Sequence, residues 1–344
     1  MVTRRLGRDG PEVSVLGFGT WALAGRYRYG WGGVDDEESI AAIRLAVERG
    51  VTWVDTAPTY GDGHSEEVVG RALEPFRAGE EVLVFTKCGR PWRGGEVYFD
   101  LRPASIRAEC EASLRRLRVE RIDLYQCHWP DYATGTPVEE SWATMAELVD
   151  EGKVRWLGVC NFDVPRLEAC AAVRHVDSLQ PPLSLLNRHA RGELVPWAAA
   201  HGTGVIAYSP MASGLLTGSF NREGLDRLAE DDWRRKAPPF QEPASLSRTL
   251  ALVDALGPVA ARLGCTLAEL AVAWVLAVPG VTGAIVGGRR PSQLDDWLGA
   301  GSVELDEATL AEIDGALTSS GAGSDEAPRP PPVADPFDPG GVGA

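Results

Sequence analysis

The sequence predicts an α/β chain built as one (β/α)8 TIM barrel, with a β-hairpin ahead of the barrel and a disordered tail behind it. Three observations carry this. Short apolar runs alternate with amphipathic stretches of helical length, the pattern of βα units around a parallel sheet. Eight such runs occur, near 16–19, 51–55, 82–86, 122–126, 154–159, 177–180, 204–208 and 282–286, and nearly all are followed by a helix, which points to closure. The length, 344 residues, also suits a barrel of ~250 residues or more with extensions.

In chain order, Asp9–Gly10–Pro11 forms a turn between Arg4–Leu6 and Val13–Val15, a hairpin placed to plug the barrel bottom. Asp35 or Asp36 caps the first helix, Ile40, Ile43 and Val47 repeat at helical spacing, and Gly50 stops it. Thr136, Pro137 and Glu139 offer an N-cap, a first-turn proline and a capping-box carboxylate, and Thr266 with Glu269 repeats the box. Pro181–Pro182 after Gln180 ends the sixth strand abruptly. Residues 211–247, including EDDWRRKAPPF, read as a long polar loop of the kind that serves as a lid. The barrel is expected to occupy 1–318, and 319–344, rich in Pro, Gly and Ala, to be disordered.

Composition narrows the function classes. With 44% hydrophobic residues the chain can bury a large core. A net charge of −15 and a pI near 4.9 argue against nucleic-acid binding, which needs a basic surface. No apolar run reaches membrane-spanning length and the N-terminus lacks a signal-peptide core, so a cytoplasmic protein away from membranes is expected. Six cysteines without paired CxxC spacing and five histidines without an HxH or HExxH pair predict no metal and no disulfide framework.

Four polar residues stand where predicted strands run out into loops: Asp55 and Tyr60 in WVDTAPTYGDG, Lys87 in VLVFTKCG and His128 in IDLYQCHWPD. Strand ends on one rim are where a parallel β/α barrel keeps its chemistry. Reducing a carbonyl needs a hydride donor at carbon and an acid at oxygen, where negative charge develops. Tyr60 can be that acid if a neighbouring cation such as Lys87 favours the phenolate, with Asp55 pairing the lysine. A neutral His128 can donate a hydrogen bond that orients the carbonyl oxygen.

These strings resemble the aldo-keto reductase family, in the bacterial branch related to potassium-channel β subunits. The resemblance runs from Arg4 to about Leu317 and includes GKVRWLGVCNF, GVIAYSPMASGLLTG and AIVGGRRPSQLDDW. It implies Asp55, Tyr60, Lys87 and His128 as a catalytic tetrad and NADPH as cofactor. It further implies contacts to the cofactor from Cys160, Asn161 and Gln180 at the carboxamide, Tyr208 against the nicotinamide ring, Ser209 and Leu215 at the pyrophosphate, and Gly287, Arg289 and Gln293 at the adenosine end. Arg289, beside Arg290, suits the 2′-phosphate of NADP. The chain departs from the family at Cys160, where Ser is usual, and at Trp297, where Asn is common.

A small-molecule carbonyl is the implied substrate, bound by Trp21, Tyr60, His128 and Trp129; Tyr27, Tyr29, Trp31, Trp92 and Trp233 are further aromatic candidates for its pocket. Which carbonyl it is, and the oligomeric state, stay open. Two other classes remain at this point: a cofactor-binding interaction subunit with slow turnover, and a lyase or isomerase using Lys87 as a Schiff base.

Overall fold

The computed structural model describes residues 1–25, 30–79, 82–221, 224 and 228–326. Twelve strands are present among them: β1 (Thr3–Arg5), β2 (Glu12–Ser14), β3 (Leu16–Gly19), β4 (Trp53–Asp55), β5 (Leu83–Cys88), β6 (Trp92–Arg93), β7 (Glu96–Val97), β8 (Ile122–Cys127), β9 (Val154–Cys160), β10 (Ser178–Gln180), β11 (Gly204–Ala207) and β12 (Val281–Val286). Strands β3, β4, β5, β8, β9, β10, β11 and β12 pair in parallel and in that order, and β12 pairs back to β3 to close the barrel. These are the eight runs read from the sequence, with ends displaced by two residues or fewer.

Helices on the outer ring connect the strands: Asp36–Glu48, His64–Ala72, Pro103–Leu117, Val138–Asp150, Val164–Val173 and Leu194–His201 fall between successive barrel strands up to β11. Pro243–Leu263 and Leu267–Ala277 both precede β12, and Glu307–Ser320 follows it. The main apolar core lies between this ring and the barrel wall. A second, smaller core fills the bottom, where Leu6 and Val13 from the β1–β2 hairpin meet Trp53, Phe85, Leu124, Ile206 and Ile285, and the Trp53 indole donates to Ser14 O at 2.8 Å. The hairpin is therefore the plug that the sequence suggests. No single described helix is long and apolar enough to cross a membrane.

Local capping follows the sequence reading in two of three places. Asp35 accepts from the Glu37 and Glu38 N–H groups, and Thr266 with Glu269 closes a capping box. The cap expected from Thr136 does not form: the helix starts at Val138 with Pro137 at its N-cap, and the Thr136 hydroxyl is committed to Thr134 Oγ1 at 2.6 Å. The tail boundary also moves. The last helix runs to Ser320, and Ser324 exchanges backbone hydrogen bonds with Leu186 and Arg188, while Asp325 meets the Arg188 guanidinium at 3.2 Å. Order expected to end at 318 thus extends through 326; the rest of the predicted disordered tail lies outside the described residues.

Register sets the functional rim. Lys87 on β5 lies opposite Gln126 on β8, and Cys160 on β9 lies opposite Gln180 on β10. Between them Gly158 makes room, since a Cβ there would come within 2.9 Å of Gln126 Cγ and 3.0 Å of Ser178 O.

One buried acid behind this rim carries a stability cost. Glu109 Oε1 accepts from Gly89 N at 3.0 Å, but its Oε2 has no hydrogen-bond partner among the described residues, and burial pushes the carboxyl from 4.5 up to about 8. Over that pH interval the folded chain binds a proton that the unfolded chain has released, so stability falls as pH rises through it. Glu109→Gln is expected to be more stable than the parent at pH 8 by about 1–3 kcal/mol and to unfold at a higher temperature, with the gain vanishing near pH 4. Thermal melts at the two pH values check this; an equal gain at both contradicts it.

Candidate active site

Asp55 ends β4, Lys87 stands one residue before the end of β5, and His128 follows β8, so three sequence-predicted residues converge on one rim. Lys87 is fully buried. Its ammonium donates to Asp55 Oδ1 at 2.5 Å and to Thr56 O at 2.9 Å. The other carboxylate oxygen, Oδ2, accepts from Gln180 Nε2 at 2.8 Å and Gln126 Nε2 at 3.2 Å, and the two amides bond each other at 3.1 Å. Asp55 is thus fixed from both sides. Breaking such a buried charged network is costly because each partner would be left without its hydrogen bonds.

Tyr60 joins the group from the loop after β4. Its ring lies edge-on to His128 with centroids 5.8 Å apart, and Lys87 Nζ sits 5.3 Å from its centroid. The sequence reading has Lys87 favouring the phenolate, and in the structure burial works against it. Burial pushes the phenol well above its ordinary value, with Asp55 and then Cys160 adding to the rise. Burial outweighs the pull of the lysine, whose Nζ is paired with Asp55 and lies 5.3 Å from the ring centroid. Tyr60 therefore rests as a neutral phenol, the form that can give up a proton. His128 is neutral as expected, because burial first, then the Lys87 and Arg90 charges, hold it well below the usual histidine value.

These residues open onto a cavity of about 580 Å³, within the range of small-molecule sites. Trp21 and Trp129 line it, as do Trp31 and Trp233; Trp92 does not, its indole donating instead to Thr59 O at 3.1 Å. Tyr27 and Tyr29 lie outside the described residues. The long loop after β11 closes part of the mouth: Trp233 packs 5.1 Å from Trp21 and 6.0 Å from Trp31, and Trp31 pairs with Asp232 in a β-bridge.

The predicted cofactor residues divide. Cys160, Asn161, Tyr208 and Ser209 line the cavity next to the tetrad, with Tyr208 donating to Asn161 Oδ1 at 2.8 Å and Asn161 Nδ2 donating to His128 O at 3.1 Å. Gly287, Arg289 and Gln293 line it from the loop after β12, where Gln293 Oε1 accepts from Arg289 N at 2.7 Å and Arg289 Nη1 donates to Trp31 O at 3.0 Å. Gln180 and Leu215 have further partners. Gln180 lines the cavity as well, with its amide nitrogen on Asp55 and Gln126 and its oxygen accepting from Cys160 Sγ at 3.6 Å. Leu215 does not line the cavity: its side chain packs with Phe220, Ala237, Phe240 and Leu246, and its N–H donates to Ala212 O. Trp297 forms a buried part of the cavity wall, 6.4 Å from the Phe18 ring.

Sequence reasoning missed Gln126 and Arg90. A glutamine inside the apolar strand IDLYQC is the signal for the first, and an arginine three residues after Lys87 is the signal for the second.

The cavity fits an elongated dinucleotide. Ser209, Ala212 and Ser213 take positive φ (56°, 47° and 56°), a conformation that L side chains enter at a cost and that clusters at ligand clamps. Ser213, Thr217 and Ser219 also line this stretch, and Arg289 lies beyond it. Hydroxyls of this kind suit a pyrophosphate. The Schiff-base alternative loses ground, because Lys87 is fully buried and ion-paired rather than a free amine.

Comparison with known proteins agrees with this geometry. Residues 15–318 match the aldo/keto reductase family. Aldo-keto reductase YhdN of Bacillus subtilis (strain 168) is 38% identical over 287 residues, covering 83% of this chain and 84% of that protein. The NADH-specific methylglyoxal reductase of Escherichia coli (strain K12) is 34% identical over 314 residues, covering 88% and 94%. In structure, the glycerol dehydrogenase AKR11B4 from Gluconobacter oxydans superposes with a TM-score of 0.82 at 37% identity, covering 96% of this chain and 99% of that one.

Proposed function

The chain belongs to the aldo/keto reductase family, and on that premise we propose that it reduces an aldehyde or ketone to the alcohol, reversibly, with NADPH as hydride donor. One observation carries the proposal. The Asp55–Lys87 pair, neutral Tyr60 and neutral His128 share a single cavity with Asn161, Tyr208 and the hydroxyl-rich stretch after Ser209.

When bound, the cofactor supplies hydride to the carbonyl carbon. Tyr60 delivers its phenolic proton to the carbonyl oxygen, and Lys87 stabilises the charge left on the ring oxygen. Asp55, held by Gln126 and Gln180, keeps the lysine in place. His128 orients the carbonyl through a hydrogen bond, and the tryptophan walls exclude water from the reacting atoms. Asn161 and Tyr208 would hold the nicotinamide end, the stretch from Ser209 to Ser219 the phosphates, and Arg289 the adenosine end.

Purified chain mixed with NADPH and a panel of aldehydes and ketones is expected to consume the cofactor and yield alcohol. Tight NADPH binding with no turnover on any carbonyl overturns the reaction and favours a cofactor-binding subunit.

The choice of NADPH rests on Arg289, with Arg290 beside it, as a guanidinium partner for the 2′-phosphate. One relative is named as NADH-specific, so this choice has its own test. Arg289→Ala is expected to weaken NADPH binding about 10- to 100-fold and NADH binding by less than about threefold, from the strength of charge-assisted hydrogen bonds. Fluorescence titration measures both. Tighter binding of NADH than NADPH by the unaltered chain contradicts the assignment.

A further inference from the structure

Resting on the carbonyl-reductase reading, we propose that Gln126 is a positioning residue that keeps the Asp55–Lys87 pair ionised, so that the positive charge stays on the lysine when Tyr60 gives up its proton. Gln126 lies inside β8, opposite Lys87 on β5, and is fully buried. It does not line the cavity, whereas Gln180 does. Its influence on the reaction therefore runs through its partners.

A carboxylate and an ammonium 2.5 Å apart in a dry interior can discharge one another. One N–H bond of Nζ breaks, one O–H bond forms on Oδ1, and an amine and a carboxylic acid remain. That state leaves no charge to stabilise the tyrosine oxygen. Burial favours it, and hydrogen bonds to the charged forms oppose it. Three such bonds are in place. Asp55 Oδ2 accepts from Gln180 Nε2 at 2.8 Å and from Gln126 Nε2 at 3.2 Å, and Lys87 Nζ donates to Thr56 O at 2.9 Å. Gln126 Oε1 also accepts from Gln180 Nε2 at 3.1 Å. Each amide thus fixes the other with its nitrogen toward Asp55, the orientation that an acceptor-only carboxylate requires. The titratable neighbours supply no charge instead, because burial holds Tyr60, His128 and Cys160 neutral.

The test reads the protons on Lys87 directly. Lys87, Lys153 and Lys236 are the lysines of this chain, so nitrogen-15 labelling of lysine gives few side-chain signals, and Lys153→Arg with Lys236→Arg isolates that of Lys87. In the unaltered chain Nζ is expected to show the ammonium pattern. In Gln126→Met, similar in shape but without a donor, the signal should move toward that of an amine. There kcat for carbonyl reduction should fall about tenfold or more, the strength of a hydrogen bond to a charged group, while KM and the NADPH dissociation constant stay within about threefold. Gln126→Asn, shorter but still a donor, should restore part of both the ammonium signal and kcat, and it carries the test if Gln126→Met fails to fold. An amine on Lys87 in the unaltered chain overturns the proposal. So does an ammonium retained in Gln126→Met, whether kcat holds or falls, since a fall without loss of the charge makes the role one of packing. The proton signal needs no turnover, so absence of carbonyl reduction by the unaltered chain overturns the reductase reading and leaves the charge assignment to be judged by itself.

Discussion

Tyr60→Phe is expected to lower kcat for carbonyl reduction by about 10²- to 10⁴-fold, or about 3–5 kcal/mol of transition-state stabilisation. The substitution removes one oxygen and keeps the ring that packs edge-on to His128. NADPH affinity should therefore change by less than about threefold, well under the ~1.4 kcal/mol that a tenfold change needs. The same geometry fixes the pH behaviour. Burial moves Tyr60 above the ordinary tyrosine value and His128 below the ordinary histidine value, so both stay neutral across the interval between 6.5 and 10.0. The unaltered chain should show no limb of kcat from either group in that interval. Steady-state kinetics on the variant, with a cofactor titration alongside, reads both effects. Retention of more than a tenth of kcat contradicts Tyr60 as the proton donor.

The second large effect falls on stability and activity together. Lys87→Met leaves Asp55 buried, with its Oδ1 stripped of a 2.5 Å partner and only the two glutamine amides on Oδ2. Removing one member of a buried pair costs about 3–5 kcal/mol, which for a chain of this size is on the order of a 10 °C fall in Tm. Activity should be lost as well, because nothing then stabilises the deprotonated tyrosine. Lys87→Met combined with Asp55→Leu should recover much of the melting temperature, since no charge is left buried, and none of the turnover. Thermal denaturation of the single and double variants tests this. Equal melting temperatures for Lys87→Met and the parent show that the pair is not structural.

How far the sequence could be read depended on whether a feature is local. The eight barrel strands were legible because each is a short apolar run closed by a turn or cap, and parallel closure follows from their alternation with helices. Asp55, Lys87 and His128 were legible for the same reason, as polar residues at the ends of such runs. The network behind them was not. Gln180 reaches Asp55 across 125 positions and Gln126 across 71, contacts that exist only once the barrel has closed. Family resemblance gives Gln180 to the cofactor; the closed barrel adds a contact to Asp55 that the resemblance did not suggest. The burial of Tyr60 was hidden by the same gap, as was the partner that Lys87 meets 2.5 Å away. Thr136 failed more locally, because Thr134 competes for its hydroxyl. The early tail failed because Arg188, far upstream, holds Ser324 and Asp325 against the barrel.

The central claim is that hydride passes directly to a carbonyl carbon held between Tyr60 and His128, with the oxygen protonated from the protein side. NADPH carrying deuterium at both C4 positions tests it most directly, with the alcohol product analysed for the position of the label. The account predicts one deuterium on the carbinol carbon for each NADPH oxidised. Alcohol carrying only solvent hydrogen at that carbon contradicts direct transfer and removes the role assigned to this site.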